Sequence, residues 1–160
     1  MASTIVSPDQ TAVVSEVEIA APPERVFQAL TQPDQLMRWW TSDICKAELW
    51  EFDARPGGRW SSRMRSDTLV INDTNVFEAN GEILEFDPPR VLVYTWITNW
   101  FPPATPQSVV RWELTASGRG TKVKMTHSGL SAELAKDYSG GWPDVVARLK
   151  NFTEEPEFRK

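Results

Sequence analysis

One stretch constrains this chain more than any other: Gly140 to Phe152, near its end, has a single apolar face. Trp142, Val145, Val146, Leu149 and Phe152 recur at helical spacing, while Asp144, Arg148 and Asn151 take the opposite side. A stripe of this kind holds only when it lies on a broad apolar surface. Pro143 has no N–H and a fixed φ, so it is expected in a first turn, with a break at Gly140-Gly141-Trp142 before the helix proper. Just upstream, Thr121 to His127 alternates in the manner of a strand, and Ser128-Gly129-Leu130 turns the chain toward the helix.

The rest of the chain reads as the surface the helix needs. Residues 1–11 carry no periodicity and are expected to be a flexible tail. Val13, Ser15, Val17 and Ile19 alternate with Val14, Glu16, Glu18 and Ala20, giving a first strand that Ala21-Pro22-Pro23-Glu24 stops. Val26, Phe27 and Leu30 then predict a short helix closed by Thr31-Gln32-Pro33, and Leu36, Met37 and Trp40 a second one over Pro33 to Trp40. Ala47 to Phe52 reads as a short strand, and Ala54-Arg55-Pro56-Gly57-Gly58 as a hairpin connection. After it, Trp60, Ser62 and Met64 face inward and Arg59, Ser61, Arg63 and Arg65 outward. Asp67 to Asn75 is open between strand end and loop.

Val76 to Phe86 is a strand in which Asn80-Gly81 predicts a bulge or kink. Beyond the Asp87-Pro88-Pro89-Arg90 turn, Val91 to Trp100 is apolar on both faces, which fits a central strand and equally a homodimer contact. Three prolines make Phe101 to Pro106 a loop. Val110, Trp112 and Leu114 form an antiparallel hairpin with Thr121, Val123, Met125 and His127 across Ser117-Gly118-Arg119-Gly120. The fold class is therefore α+β: a curved antiparallel sheet wrapped around a long C-terminal helix, with two short helices after strand one. At 160 residues a single domain suffices, able to bury about two-thirds of its unfolded surface. The domain is expected over 12–153, with 154–160 as a C-terminal tail.

Composition narrows the function. The net charge of −5, with scattered Lys and Arg, leaves no electrostatic footprint for nucleic acid. No apolar run approaches the roughly 20 residues that span a bilayer, and the first ten residues carry no secretory signal. One cysteine, Cys45, fits a reducing compartment, so a cytoplasmic protein is expected, with Cys45 as a packed thiol. With one histidine and one cysteine the usual zinc sites cannot be assembled, and no metal or cofactor is expected. Tryptophan, at eight residues, is as frequent as glycine, and it is suited both to cores and to pocket walls.

His127 should point inward beside Val123 and Met125, as a hydrogen-bonded core residue or as an acid–base group. Ser128 belongs to the opposite face, so these two neighbours do not make a dyad. Pro56-Gly57-Gly58-Arg59 precedes a strand rather than a helix, which makes it a turn and not a phosphate loop. Glu78, Glu82 and Glu113 are read as surface residues unless a kink at Gly81 resets the faces. If His127 lies in an apolar cavity, burial should push its pKa below the usual value of about 6.5.

Six segments, taken in order, resemble a known family. They are Val17 to Thr31, Leu36-Met37-Arg38-Trp39-Trp40, Pro56-Gly57-Gly58-Arg59-Trp60, Gly81 to Trp96, Thr126 to Leu130, and Gly141-Trp142 with Leu149. Together they resemble the START-like (SRPBCC, birch-pollen-allergen-like) superfamily. More narrowly they resemble the branch named after the activator of the heat-shock-protein-ninety ATPase. The resemblance implies a helix-grip fold with a cavity between sheet and terminal helix, and a superfamily of lipid carriers, polyketide cyclases and resistance proteins.

The leading expectation is a small-molecule binding protein for an apolar or aromatic ligand. Its pocket would be walled by Trp60, Met64, Trp112, Met125, His127 and Trp142, with Trp96 and the Trp39-Trp40 pair near the mouth. The alternatives are a cyclase- or hydrolase-type enzyme using His127 with an inward Glu, and a co-chaperone docking on a heat-shock ATPase.

Overall fold

In the computed structural model, which describes residues 2–101 and 105–155, strands and helices follow the order that the periodicities predict, with one strand added. The strands are β1 (Ser3–Val6), β2 (Ala12–Ile19), β3 (Lys46–Phe52), β4 (Arg59–Arg65), β5 (Val76–Asp87), β6 (Val91–Thr98), β7 (Ser108–Ser117) and β8 (Gly120–Ser128). They form one eight-stranded antiparallel sheet in the order β1-β2-β8-β7-β6-β5-β4-β3. The helices α1 (Pro23–Thr31) and α2 (Pro33–Trp39) follow β2, and α3 (Ala132–Glu154) closes the chain. This is an α+β helix-grip architecture: a curved open sheet holding one long helix.

Alternation fixes the inner face. Val13, Ser15, Val17 and Ile19 of β2 are buried, as are Val110, Trp112 and Leu114 of β7 and Thr121, Val123, Met125 and His127 of β8. Glu16 and Glu18 are exposed, and Glu113 lies half-buried on the outer face with Arg111 3.6 Å away. Glu78 and Glu82 are exposed too, so none of the three carboxylates considered above enters the interior. β6 sits between β5 and β7, with Leu92, Val93, Tyr94, Thr95 and Trp96 all buried. Ile97, on the same strand, is 41% exposed.

Four expectations about local structure are corrected. Residues 3–6, placed in a loose tail, pair with β2 from Ser3↔Glu16 to Val6↔Val13. The turn that allows this is held by Asp9, whose Oδ1 accepts from Ser7 Oγ at 2.7 Å and from Thr11 Oγ1 at 2.8 Å. Edge pairing then supplies hydrogen bonds that an isolated segment of this composition could not keep.

The break before Trp142 is absent, and α3 runs through Gly140, Gly141 and Pro143. It starts at Ser131, whose side chain accepts from the Leu134 N–H at 3.2 Å. An interior proline costs about 3 kcal/mol, but Trp142 is only 3% exposed, and burying roughly 200 Å² of indole at about 25 cal/mol/Å² returns about 5 kcal/mol. Val146, Leu149 and Phe152 are buried on the same side and add to it. Packing on the sheet therefore outweighs the local preference to break.

Of the bulge or kink expected at Asn80-Gly81, the bulge lies instead between Ile83 and Glu85, while Trp60↔Gly81 and Asn80↔Ile97 keep register. Gly81 is needed for close approach: a Cβ there would come within 1.9 Å of the Thr95 carbonyl oxygen. That same oxygen accepts the Trp60 Nε1–H at 2.9 Å, and Thr95 Oγ1 accepts the Glu82 N–H at 2.8 Å. At the other end, Glu154 belongs to α3 rather than to a tail; it accepts from the Ala20 N–H at 2.7 Å, and 156–160 lie outside the described residues. The segment left open at Asp67 to Asn75 contains an isolated bridge, Ile71↔Thr74.

Candidate functional site

The aromatic residues of the inner face meet in one continuous array. Trp40, at the end of α2, has Trp39 and Trp50 each 5.1 Å away, centroid to centroid, Trp142 at 5.9 Å and Trp96 at 6.2 Å. Trp60 stacks on Trp50 at 5.8 Å and lies 5.2 Å from Trp96. Such offset and edge contacts are the arrangements aromatic quadrupoles prefer.

Most of these indoles also satisfy their N–H. Trp39 donates to Ala29 O at 2.8 Å, Trp96 to Tyr138 Oη at 3.0 Å and Trp112 to Tyr94 Oη at 3.0 Å. Trp50 is a buried indole whose Nε1–H meets no acceptor among the described residues.

His127 lies under this array, fully buried. Trp142 Nε1–H donates to its Nδ1 at 3.1 Å, and its Nε2 is 2.7 Å from Ser108 Oγ. An indole nitrogen only donates, so Nδ1 must be unprotonated and Nε2 carries the hydrogen. Nε2–H then donates to Ser108 Oγ, whose own proton points on toward Trp96 O at 3.4 Å. Tyr138 covers the ring, with centroids 4.4 Å apart. Burial pushes the His127 pKa down to about 3, since a charged imidazole here would lose its hydration and set Nδ1–H against the Trp142 N–H.

This geometry decides what His127 can do. A hydroxyl is within reach, as an acid–base role requires, but the tautomer is the wrong one. To take a proton from Ser108, Nε2 would have to be bare and Nδ1 protonated, and no carboxylate stands behind Nδ1 to stabilise that form. The hydroxyl partner is also Ser108 rather than Ser128, which is half-buried on the outer face. The β7–β8 register, in which Val110 opposes His127, places Ser108 two residues away on the same face.

Beside this network lies a partly open apolar pocket of about 180 Å³, bounded by α2, α3 and the β3–β6 part of the sheet. Of the residues expected to wall a pocket, Trp40, Met64, Trp96 and Trp142 line it. Trp60, Trp112, Met125 and His127 do not: each is at most 2% exposed and belongs to the packed layer behind the wall. Trp50, Phe77, Trp100, Tyr138 and Val145 also line the pocket, with the small residues Ser62, Ala79 and Gly141 making room between them. Trp50 and Phe77 lie in segments expected to be strands, but their faces were not assigned; Tyr138 was missed because the first turns of α3 were not recognised as helix.

Tyr138 Oη accepts from Trp96, and burial pushes its pKa up to about 12. Among the described residues, no Asp, Glu, Lys, Arg or His lines the pocket. Cys45 is half-buried, and desolvation raises its thiol pKa despite the charge of Arg148, disfavouring the thiolate. Among the described residues no cluster of His, Cys, Asp and Glu could hold a metal ion, and no helix is long and apolar enough to cross a membrane.

Solved structures share this architecture. Protein Ms6760 from Mycobacterium smegmatis is 22% identical, with a TM-score of 0.78 over 95% of this chain and 93% of its own. Protein CV1439 from Chromobacterium violaceum is 20% identical, with a TM-score of 0.78 over 91% and 99%. CalU16 from Micromonospora echinospora is 24% identical, with a TM-score of 0.64 over 98% and 85%. These likenesses concern the fold. No curated protein matches the chain. The family described as activator of Hsp90 ATPase homolog 1-like protein matches residues 20–154, from the end of β2 to the last residue of α3, and it is to this family that the chain belongs.

Proposed function

We propose that the protein binds a small apolar or aromatic molecule in the pocket between α2, α3 and β3–β6. The observation that carries this reading is the wall itself. About 180 Å³ of partly open space is bordered by Trp40, Trp50, Trp96, Trp100, Trp142 and Phe77, with no ionised side chain among the described lining residues. Packed cores leave few voids larger than a water molecule, whereas an apolar cavity of roughly 150 Å³ is enough to take up benzene. In the middle of α3, Gly141 is exposed and Val145 half-buried, and the pocket beside them is partly open.

Binding is favoured over catalysis because His127, the one histidine, is neutral, fully buried and held in a tautomer that cannot accept the Ser108 proton. The test is titration with naphthalene while tryptophan emission is followed, alongside native mass spectrometry of what co-purifies. A saturable change in emission is expected, and it should be lost in Ala79→Leu, which fills the pocket. Emission that does not saturate, together with an empty protein in the mass spectrum, would overturn the reading.

A further inference from the structure

Ser62 brings the one aliphatic hydroxyl among the described residues that line the pocket. Alternation along β4 puts it on the inner face with Trp60 and Met64, opposite Trp50 of β3 and Ala79 of β5. The residue is 7% exposed, yet its Oγ makes no hydrogen bond among the described residues and is not one of the polar atoms that packing seals off without a partner. On this face of the sheet, the open space that the oxygen meets is the pocket. The other hydroxyl of the wall is already engaged, since Tyr138 Oη accepts from Trp96 Nε1–H. An apolar pocket with a single polar group placed in it is the usual design of a small-molecule site, where the polar group sets orientation and specificity.

We propose that Ser62 determines the specificity of this pocket: its ligand is a neutral aromatic molecule of one or two rings carrying an acceptor oxygen, to which the Ser62 hydroxyl donates. The proposal rests on the reading that the pocket binds small molecules, and it specifies which ones. Neutrality follows from the wall, because a charged group entering it would lose water and meet no counter-charge among the described lining residues. The size follows from the volume of about 180 Å³, given that roughly 150 Å³ takes up benzene. Aromatic character follows from the indole faces and edges that a flat ring can stack on. The acceptor follows from the Ser62 proton. A wholly apolar occupant would strip the hydroxyl of water and leave it unpaired, whereas a ligand oxygen placed against it offsets that loss.

Indane and 1-indanone share a bicyclic skeleton and differ by one carbonyl oxygen. In calorimetric titrations 1-indanone should bind about five-fold tighter, although indane is the more hydrophobic of the two. Ser62→Ala removes the hydroxyl and no hydrogen bond within the described protein, so it should abolish the preference or reverse it while leaving indane affinity within about two-fold. Equal or tighter binding of indane by the native protein, or a preference that survives Ser62→Ala, overturns the proposal and leaves the binding reading intact. If neither compound binds, both fall. A measurement that does not depend on the variant's folding is the infrared carbonyl stretch of ¹³C-labelled 1-indanone bound to the native protein. It should lie at lower wavenumber than in cyclohexane, as a carbonyl that accepts a hydrogen bond does, and a stretch at the cyclohexane position also overturns the assignment.

Discussion

Trp142 Nε1 on α3 donates to His127 Nδ1 on β8 across 3.1 Å, a bond that helps tie the gripped helix to the floor of the sheet. It also fixes the proton on Nε2, hence the direction of the bond to Ser108. A buried histidine that satisfies both nitrogens in its neutral form acts here as a structural strut.

The first prediction concerns pH. The folded pKa of His127, about 3, lies below the unfolded value of about 6.5, so the unfolded chain binds the proton more readily. Its contribution is complete above pH 6.5 and declines as pH falls toward 3, by about 2 kcal/mol at pH 5. His127 is the chain's one histidine, which leaves this window clear of other imidazoles. Urea unfolding from pH 7.5 to 5 should show the decline in the native protein and a flatter profile in His127→Gln. Parallel profiles would refute the assignment.

Ser108 and Ser128 lie at the same open end of the β7–β8 hairpin, yet they should behave differently. Ser108 is buried and accepts from His127, so Ser108→Ala strands a buried donor and should cost about 1–3 kcal/mol. Ser128 is half-buried on the outer face, and Ser128→Ala should stay within about 0.5 kcal/mol. Chemical denaturation of both variants decides whether the serine–histidine contact is placed correctly.

Because Ser108 and Trp142 bond opposite nitrogens of one ring, their loss should not be additive. A double-mutant cycle with Ser108→Ala and Trp142→Phe is expected to give a coupling energy of at least about 0.5 kcal/mol. Simple additivity would mean that the chain of hydrogen bonds through His127 is not a unit.

Two glycines give opposite expectations for one substitution. A Cβ at Gly81 meets the Thr95 carbonyl oxygen at 1.9 Å, so Gly81→Ala should destabilise by about 3 kcal/mol or more and displace the Trp60 indole. At Gly140 a Cβ meets nothing within 4 Å, and the residue lies inside α3, so Gly140→Ala should stabilise by about 0.5–1 kcal/mol. Thermal unfolding of the two variants reads both signs.

The sequence alone determined the features that depend on neighbours a few residues apart. The period of two along β2, β4, β7 and β8 told which side chains face inward, including His127, Trp60 and Trp112. The period near 3.6 told which face of α3 is buried, from Trp142 to Phe152. Both periods are properties of local backbone geometry, so they survive in a linear text.

What only the tertiary structure decided is which inward residues meet. Met125 and Trp112 are as inward as Met64 and Trp96, but the first pair is sealed in the packed layer while the second borders open space. That outcome depends on where the curved sheet and the helix diverge, a property of strand twist, register shifts such as that between Ile83 and Glu85, and helix placement. The same holds for β1, which is stable only against the edge of β2, and for Pro143, which stays helical because Trp142 gains more by burial than the proline costs. It holds also for the buried Trp50 N–H, whose lack of an acceptor among the described residues depends on every element that surrounds it.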